Sequence, residues 1–167
     1  MGGERRVSPE EFREALARFA TGVTVVTAPA RDGPHGVTVN AFASLSLDPP
    51  LVLVCIERGR YSHAVLEASG VFAVNILAAD QEPLSRFFSS ATRPEGPQAF
   101  HGIPHRSGRT GAPVLEGCVA ILECRTVAQY PGGDHSIFVG AVEAAEVQAS
   151  RAPLVYYNRT YHRLAGP

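Results

Sequence analysis

Gly36-Val37-Thr38-Val39-Asn40-Ala41-Phe42-Ala43-Ser44-Leu45-Ser46-Leu47, followed by Asp48-Pro49-Pro50 and then Leu51-Val52-Leu53-Val54-Cys55-Ile56, holds two patterns in succession. In the first run Val37, Val39, Ala41, Ala43, Leu45 and Leu47 share one parity, while Thr38, Asn40, Ser44 and Ser46 share the other. Strand side chains alternate between faces, so this reads as a strand with an apolar side and a polar side. The second run is continuously apolar and valine-rich, as in a strand buried on both faces.

Upstream, Ser8 and Glu11 have capping-box spacing and Pro9 falls at a first helical position. Phe12, Ala15, Leu16 and Phe19 recur at helical intervals, so the spacing predicts a helix over about Ser8 to Ala20. The period then changes to two through Val23, Val25 and Thr27, and the turn Arg31-Asp32-Gly33-Pro34 joins this strand to the opening run as a pair or hairpin. Downstream, the polar turn Glu57 to Tyr61 precedes a short helix with Ser62 as its expected N-cap, and Val71 to Leu77 reads as a strand. Asp80 is the expected cap of another short helix carrying Leu84, Phe87 and Phe88. Ser89 to Pro113 is a long connection rich in Gly, Pro, Arg and Ser, of a kind more often functional or mobile than inert. Strands return at Cys118 to Ala128, Ser136 to Val147 and Leu154 to Tyr157. About seven strands, three short helices and no regular strand-helix alternation predict a mainly β antiparallel barrel or sandwich with peripheral helices, in one domain spanning 1–167.

Composition excludes several chemistries. All 15 basic residues are arginine, so Schiff-base catalysis, a pyridoxal phosphate aldimine and a phosphate-loop lysine are ruled out. Twelve Glu accompany only four well-separated Asp, which disfavours an Asp-cluster site for magnesium or calcium. A net charge of -1 without a basic run gives no footprint for nucleic acid. No stretch approaches a membrane span, and Met1 to Phe12 is charged with no apolar run behind it, so a cytoplasmic chain is expected. Cys55, Cys118 and Cys124 lack C-x-x-C spacing and sit in apolar runs, as reduced core thiols would. His101 and His105 have metal-like spacing, but the intervening Gly102 and Pro104 preclude a helix and no third ligand is near; no metal is expected.

Two stretches could carry chemistry. The Thr38, Asn40, Ser44 and Ser46 stripe is either a solvent-facing polar edge or a row of neutral donors and acceptors for a polyhydroxylated ligand. Arg58-Gly59-Arg60-Tyr61-Ser62-His63 is either an exposed turn or an anion site, in which first-turn N–H groups, a hydroxyl and guanidinium groups would hold a phosphate without lysine.

Together with Phe19-Ala20-Thr21-Gly22-Val23-Thr24-Val25-Val26-Thr27, these runs resemble the flavin reductase-like split-barrel family, whose members include the small reductase components of two-component flavin-dependent monooxygenases. Gly70 to Leu77, Ser85-Arg86-Phe87-Phe88, Gly133-Asp134-His135 with Val139-Gly140, and Pro153 to Tyr157 extend the likeness, in family order, from about Glu10 to Thr160. The resemblance implies a six-stranded antiparallel Greek-key barrel, a homodimer, and bound FMN or FAD reduced by NADH or NADPH. It further implies a separate monooxygenase partner that receives reduced flavin. By the same resemblance, Thr38, Val39, Asn40 and Ala41 would lie beside the isoalloxazine, and Ser44, Ser46 and the Cys55 backbone would approach the ribityl chain. Arg60, Ser62 and His63 would hold the phosphate, with Arg86 and Phe87 in support. Asp134 and His135 would form the nicotinamide side, His135 nearest the hydride path as the catalytic candidate, with Tyr157 lining the same cleft. A flavin-binding or haem-binding split barrel without reductase turnover is the alternative.

Overall fold

The computed structural model describes residues 6–94 and 96–164; Met1 to Arg5 of the charged start and Glu95 of the long connection, both read above, lie outside them. In chain order the elements are α1 (Pro9–Leu16), β1 (Thr21–Gly22), β2 (Thr24–Ala30), β3 (Gly33–Val39), β4 (Phe42–Leu47), β5 (Pro50–Glu57), α2 (Tyr61–Ser69), β6 (Val71–Ile76) and α3 (Glu82–Ser89). After a 3-10 turn at Gly96–Phe100 come β7 (His105–Ser107), β8 (Pro113–Leu115), β9 (Ala120–Gly132), β10 (His135–Val147), β11 (Leu154–Tyr157) and β12 (Thr160–Arg163). The chain is mainly β and antiparallel, with short helices at the periphery.

The main sheet runs β3-β2-β6-β9-β10-β5-β4. Its two edge strands, β3 and β4, are consecutive in sequence and joined only by Asn40 and Ala41. So short a link forces the sheet to curl until its edges meet, which makes it a barrel split along that seam. The sheet has seven strands where six were expected, because the opening run is cut at Asn40-Ala41 into β3 and β4. The cut also corrects the expected parity. Val39 is buried, whereas Ala41, Ala43, Leu45 and Leu47 are exposed, Leu47 at 93%. On β5, Val52, Val54 and Ile56 are buried and Leu51, Leu53 and Cys55 half-buried, so only one of its faces is fully covered.

The long β9–β10 hairpin bends at irregularities after Val139 and Val142. Gly140 lies at the first bend, where an added Cβ would fall 2.5 Å from the Phe72 ring and 2.8 Å from Cys124 Cβ; the strands approach too closely there for any side chain. One core group, with Val26, Val54, Leu66, Phe72 and Phe138, fills the barrel beneath α2. The other, with Val23, Phe88, Phe100, Leu115 and Leu154, packs α3 and the long connection against β2 and β6. Cys118 and Cys124 are buried and free, and burial pushes their thiols up to about 11 and about 12.

Helix boundaries differ from the sequence reading in instructive ways. The capping box of Ser8 and Glu11 forms as expected, but α1 ends at Leu16 and buries none of its residues. Helix α2 begins at Tyr61 with Arg60 as N-cap and has no side-chain cap. Ser62 is not that cap, because its hydroxyl is turned to His35 Nε2 at 2.8 Å. Asp80 does not cap α3 either; Gln81 holds the N-cap position while Asp80 pairs with Arg151.

Asn75, fully buried on β6, joins three segments. Its amide donates to Val25 O and Thr27 Oγ1 at 2.9 Å each and its oxygen accepts from Leu115 N at 2.8 Å. Removing it strands several buried polar groups at once, each costing about 1–3 kcal/mol. Asn75→Ala is therefore expected to lose about 3 kcal/mol in urea unfolding with an unchanged m-value; a loss under ~1 kcal/mol would show that these bonds do not hold the sheet together.

Candidate functional site

At the seam of the barrel lies a cleft of about 380 Å³. Four separate segments and one turn converge there for topological reasons. The end of β3 and the corner bring Val37 to Ala41, and the end of β5 brings Cys55, Ile56 and Glu57. The start of α2 brings Arg60, Tyr61 and Ser62, and the end of α3 with the stretch after it brings Phe88, Ser89, Ala91 and Arg93. His135 comes from the start of β10, just past the β9–β10 turn, and His35 from β3.

The corner is fixed by backbone bonds: Phe42 N donates to Asn40 O at 2.9 Å, and Cys55 N donates to Ala41 O at 3.0 Å. Thr38 donates its hydroxyl to Ser85 O at 2.7 Å, which ties β3 to α3. Asn40 is exposed and stands between this cleft and a second hollow bounded by Phe19 to Gly22 and Phe42.

The opposite wall is built on the start of α2. With no side-chain cap there, Tyr61 and Ser62 bring the N-terminus of a nine-residue helix, the positive end of its dipole, to the cleft. Arg60 Nε donates to Glu57 Oε2 at 2.9 Å, an exposed pair that adds little to stability but orients the guanidinium. Arg93 donates to Ser90 O at 2.9 Å and Gly36 O at 3.0 Å, so its charge is delivered to the cleft by two backbone carbonyls. His35 is 3% exposed. Burial, reinforced by the Arg93 guanidinium and opposed by Asp32, lowers its pKa to about 4, so it is neutral at physiological pH. Among the described residues, the wall carries the Arg60 and Arg93 guanidinium groups, the neutral His35 and Ser62, and the Glu57 carboxylate paired with Arg60.

The β9–β10 turn is the two-residue loop Gly133-Asp134. Gly133 has φ +68°, a left-handed conformation suited to glycine. Asp134 Oδ1 lies 2.7 Å from His135 Nδ1, and this hydrogen bond holds the carboxyl below its usual range. His135 faces Glu57 across the β10–β5 ladder. Burial pushes the Cys55 thiol up, which keeps it protonated and unreactive.

Of the residues singled out by sequence, the fold gathers Thr38, Val39, Asn40, Ala41, Cys55, Arg60, Ser62 and His135 around the cleft, with Asp134 behind His135. The others lie outside it. Ser44 and Ser46 are carried away on β4. His63 turns to Ser136 Oγ at 2.8 Å and packs edge-on to Phe138, so it serves the α2–β10 contact. Arg86 pairs with Glu82 and sits 4.8 Å over the Tyr161 ring. Phe87 packs against Phe88, and it is Phe88 that reaches the cleft. Tyr157 packs at a tilt against His162 on a separate small sheet. Sequence reading missed His35 and Arg93. Arg93 belongs to the Gly/Pro/Arg/Ser-rich connection that reads as functional or mobile, whereas nothing local to His35 distinguishes it from a surface histidine.

Residues 16–165 match the family model of the flavin reductase like domain. The chain is 46% identical to the reductase component of 4-hydroxyphenylacetate 3-monooxygenase of Thermus thermophilus, covering 95% of this chain and 98% of that one. It is 41% identical to an NADH-dependent flavin reductase of a Rhodococcus species, covering 95% and 88%. The solved NADH:FAD oxidoreductase SgcE6 of Streptomyces globisporus, in complex with NAD and FAD fragments, superposes with a TM-score of 0.88 at 37% identity over 96% of this chain and 97% of that one. A match over nearly the whole chain in sequence and in backbone leaves one conclusion: the chain belongs to the flavin reductase like family.

Proposed function

We propose that the chain is an NAD(P)H:flavin oxidoreductase that binds FMN or FAD in the seam cleft, working as a single domain over 1–167. The observation that carries this reading is the uncapped start of α2 facing the cleft together with Ser62, Arg60 and Arg93. That donor set, cationic and neutral, fits a phosphate group, and it faces the Thr38 to Ala41 corner across a space suited to a ribityl chain and a flat ring. The reductase relatives favour turnover over the alternative of a flavin-binding or haem-binding barrel without it, and those named for NADH favour that donor over NADPH.

Bound flavin supplies the redox chemistry, taking up a hydride from reduced nicotinamide. The chain's own task is to hold and orient. Backbone groups and the Asn40 amide at the corner would fix the ring edge, while Arg60, Ser62 and Arg93 would hold the phosphate. Asp134 accepts from His135 Nδ1 and so leaves His135 Nε2 to meet the nicotinamide nucleotide. No nucleophile is needed, in keeping with the protonated Cys55 thiol.

The Thermus relative's name supports a separate monooxygenase component as the recipient of reduced flavin. Apolar side chains left exposed on α1 (Phe12, Leu16), just after it (Phe19) and on β4 (Leu45, Leu47) support a homodimer. No helix among the described residues is long and apolar enough to cross a membrane, and free thiols at all three cysteines agree with a reducing cytoplasm.

Purified protein is expected to oxidise NADH or NADPH only when FMN or FAD is added or bound. Arg60→Ala combined with Ser62→Ala should raise the KM for FMN at least tenfold while riboflavin changes little, since only FMN carries the phosphate. No flavin-dependent oxidation with either donor would sink the assignment. For His135→Ala, the nicotinamide KM should rise several-fold with flavin affinity unchanged in fluorescence titration; an unaltered KM would remove His135 from the donor side. Sedimentation equilibrium is expected to give twice the chain's mass, and a monomer at micromolar concentration would refute the dimer.

A further inference from the structure

His35 stands in the cleft wall with no part in the reaction described above. Strand β3 carries it into the interior, where Nε2 lies 2.8 Å from Ser62 Oγ. Its ring is held edge-on against Tyr61 at 5.1 Å between centroids, and the Tyr61 hydroxyl in turn donates to Asp32 Oδ1 at 2.9 Å. The imidazole is thus oriented by the first turn of α2 and by the β2–β3 loop together. Desolvation and the nearby Arg93 guanidinium keep it neutral, with a pKa of about 4.

A neutral imidazole carries one N–H, and a serine hydroxyl has one proton and two lone pairs. Two arrangements therefore fit the 2.8 Å contact. If Nε2 is unprotonated it accepts the Ser62 proton, and Ser62 then shows only lone pairs to the cleft. If Nε2 carries the hydrogen it donates to Ser62 Oγ, and the serine proton is available to an acceptor in the cleft. A phosphate oxygen facing Ser62 is compatible only with the second.

We infer that His35 is a positioning residue for phosphate recognition: its Nε2–H donates to Ser62 Oγ and so directs the Ser62 hydroxyl proton at the phosphate of the bound flavin. This rests on the assignment of Ser62 to the phosphate site. The tautomer matters because a hydrogen bond to a charged acceptor is worth about tenfold or more in affinity, whereas lone pairs aimed at the same anion repel it.

The test compares dissociation constants for FMN and riboflavin at pH 7.5, read by flavin fluorescence. The ratio of the two isolates the phosphate and cancels any general loosening of the cleft. Ser62→Ala should reduce the preference for FMN about tenfold. His35→Gln extends an amide N–H to the position of Nε2–H and should keep the preference to within about threefold. His35→Asn, whose amide stops at the position of Nδ1, should lose as much as Ser62→Ala. Adding Ser62→Ala to His35→Asn should lose little more, because the two groups act through one proton. If Ser62→Ala leaves the ratio unchanged, the phosphate assignment of Ser62 falls and the inference falls with it. If Ser62→Ala lowers the ratio while His35→Asn does not, or if His35→Gln fails as badly as His35→Asn, the assignment stands and the role of His35 is overturned.

Discussion

Two residues, Asn40 and Ala41, join the opposite edges of a seven-stranded sheet. An open twisted sheet of that width would hold its edge strands several strand spacings apart, each spacing about 4.8 Å, and two residues span only about 7 Å. The sheet must therefore curl, and the β9–β10 hairpin supplies the bend through its irregularities and the side-chain-free contact at Gly140. The same link cannot be a regular ladder. Its corner leaves β3 and β4 unpaired with each other and opens the seam that becomes the cleft.

Electrostatics at the seam follow from an arginine-only basic complement. Arg93 uses two nitrogens to bond two backbone carbonyls while its charge still faces the cleft, and Arg60 is oriented by Glu57. A planar guanidinium with five donors can be anchored and still present charge; an ammonium, as a compact point charge, does this less well. One of the two guanidinium groups also sets the state of a neighbour, since Arg93 adds to the burial that keeps His35 neutral. Charge for an anion thus comes from arginine, and direction comes from a histidine and a serine.

Much of this was legible in the sequence. Period-two runs gave the strands, Ser8 and Glu11 gave the capping box of α1, and the turn signal at Arg31-Asp32-Gly33-Pro34 marks a real hairpin. What failed did so for identifiable reasons. Alternation through Asn40 looked unbroken because two strands with a two-residue link keep the same period as one strand, though they lie at opposite edges. Leu45 and Leu47 then fall on the same apolar side as Val39, since apolar side chains look alike whether they face the barrel or an outer surface. Ser62 and Asp80 were read as caps because cap preference is a local signal, and tertiary partners, His35 and Arg151, claimed their side chains. The resemblance groups His63 with Ser62, yet neighbours on a helix point about 100° apart, and that rotation sends His63 to β10. Arg93 and His35 reach the cleft only through long-range packing, which no window of sequence contains.

Two parts of the cleft wall are built to different standards of rigidity. On β3 and α2, Ser62 and His35 are buried, bonded to each other and braced by Tyr61 and Asp32. Beside the end of β5, Asp134 is an exposed turn residue and His135 is only half-buried, with their hydrogen bond near solvent. Buried polar contacts hold one geometry because breaking them leaves unsatisfied groups, whereas exposed ones exchange readily with water. An enzyme that must keep one nucleotide in register while a second enters and leaves needs this asymmetry. On the proposed assignment, the stiff part suits the ligand whose ring position decides hydride distance, and the solvent-facing part suits the donor that must depart after each turnover. Reversing the two would anchor the wrong partner: a buried donor site would slow release, and an exposed phosphate site would let the flavin ring drift by the fraction of an ångström that hydride transfer cannot tolerate.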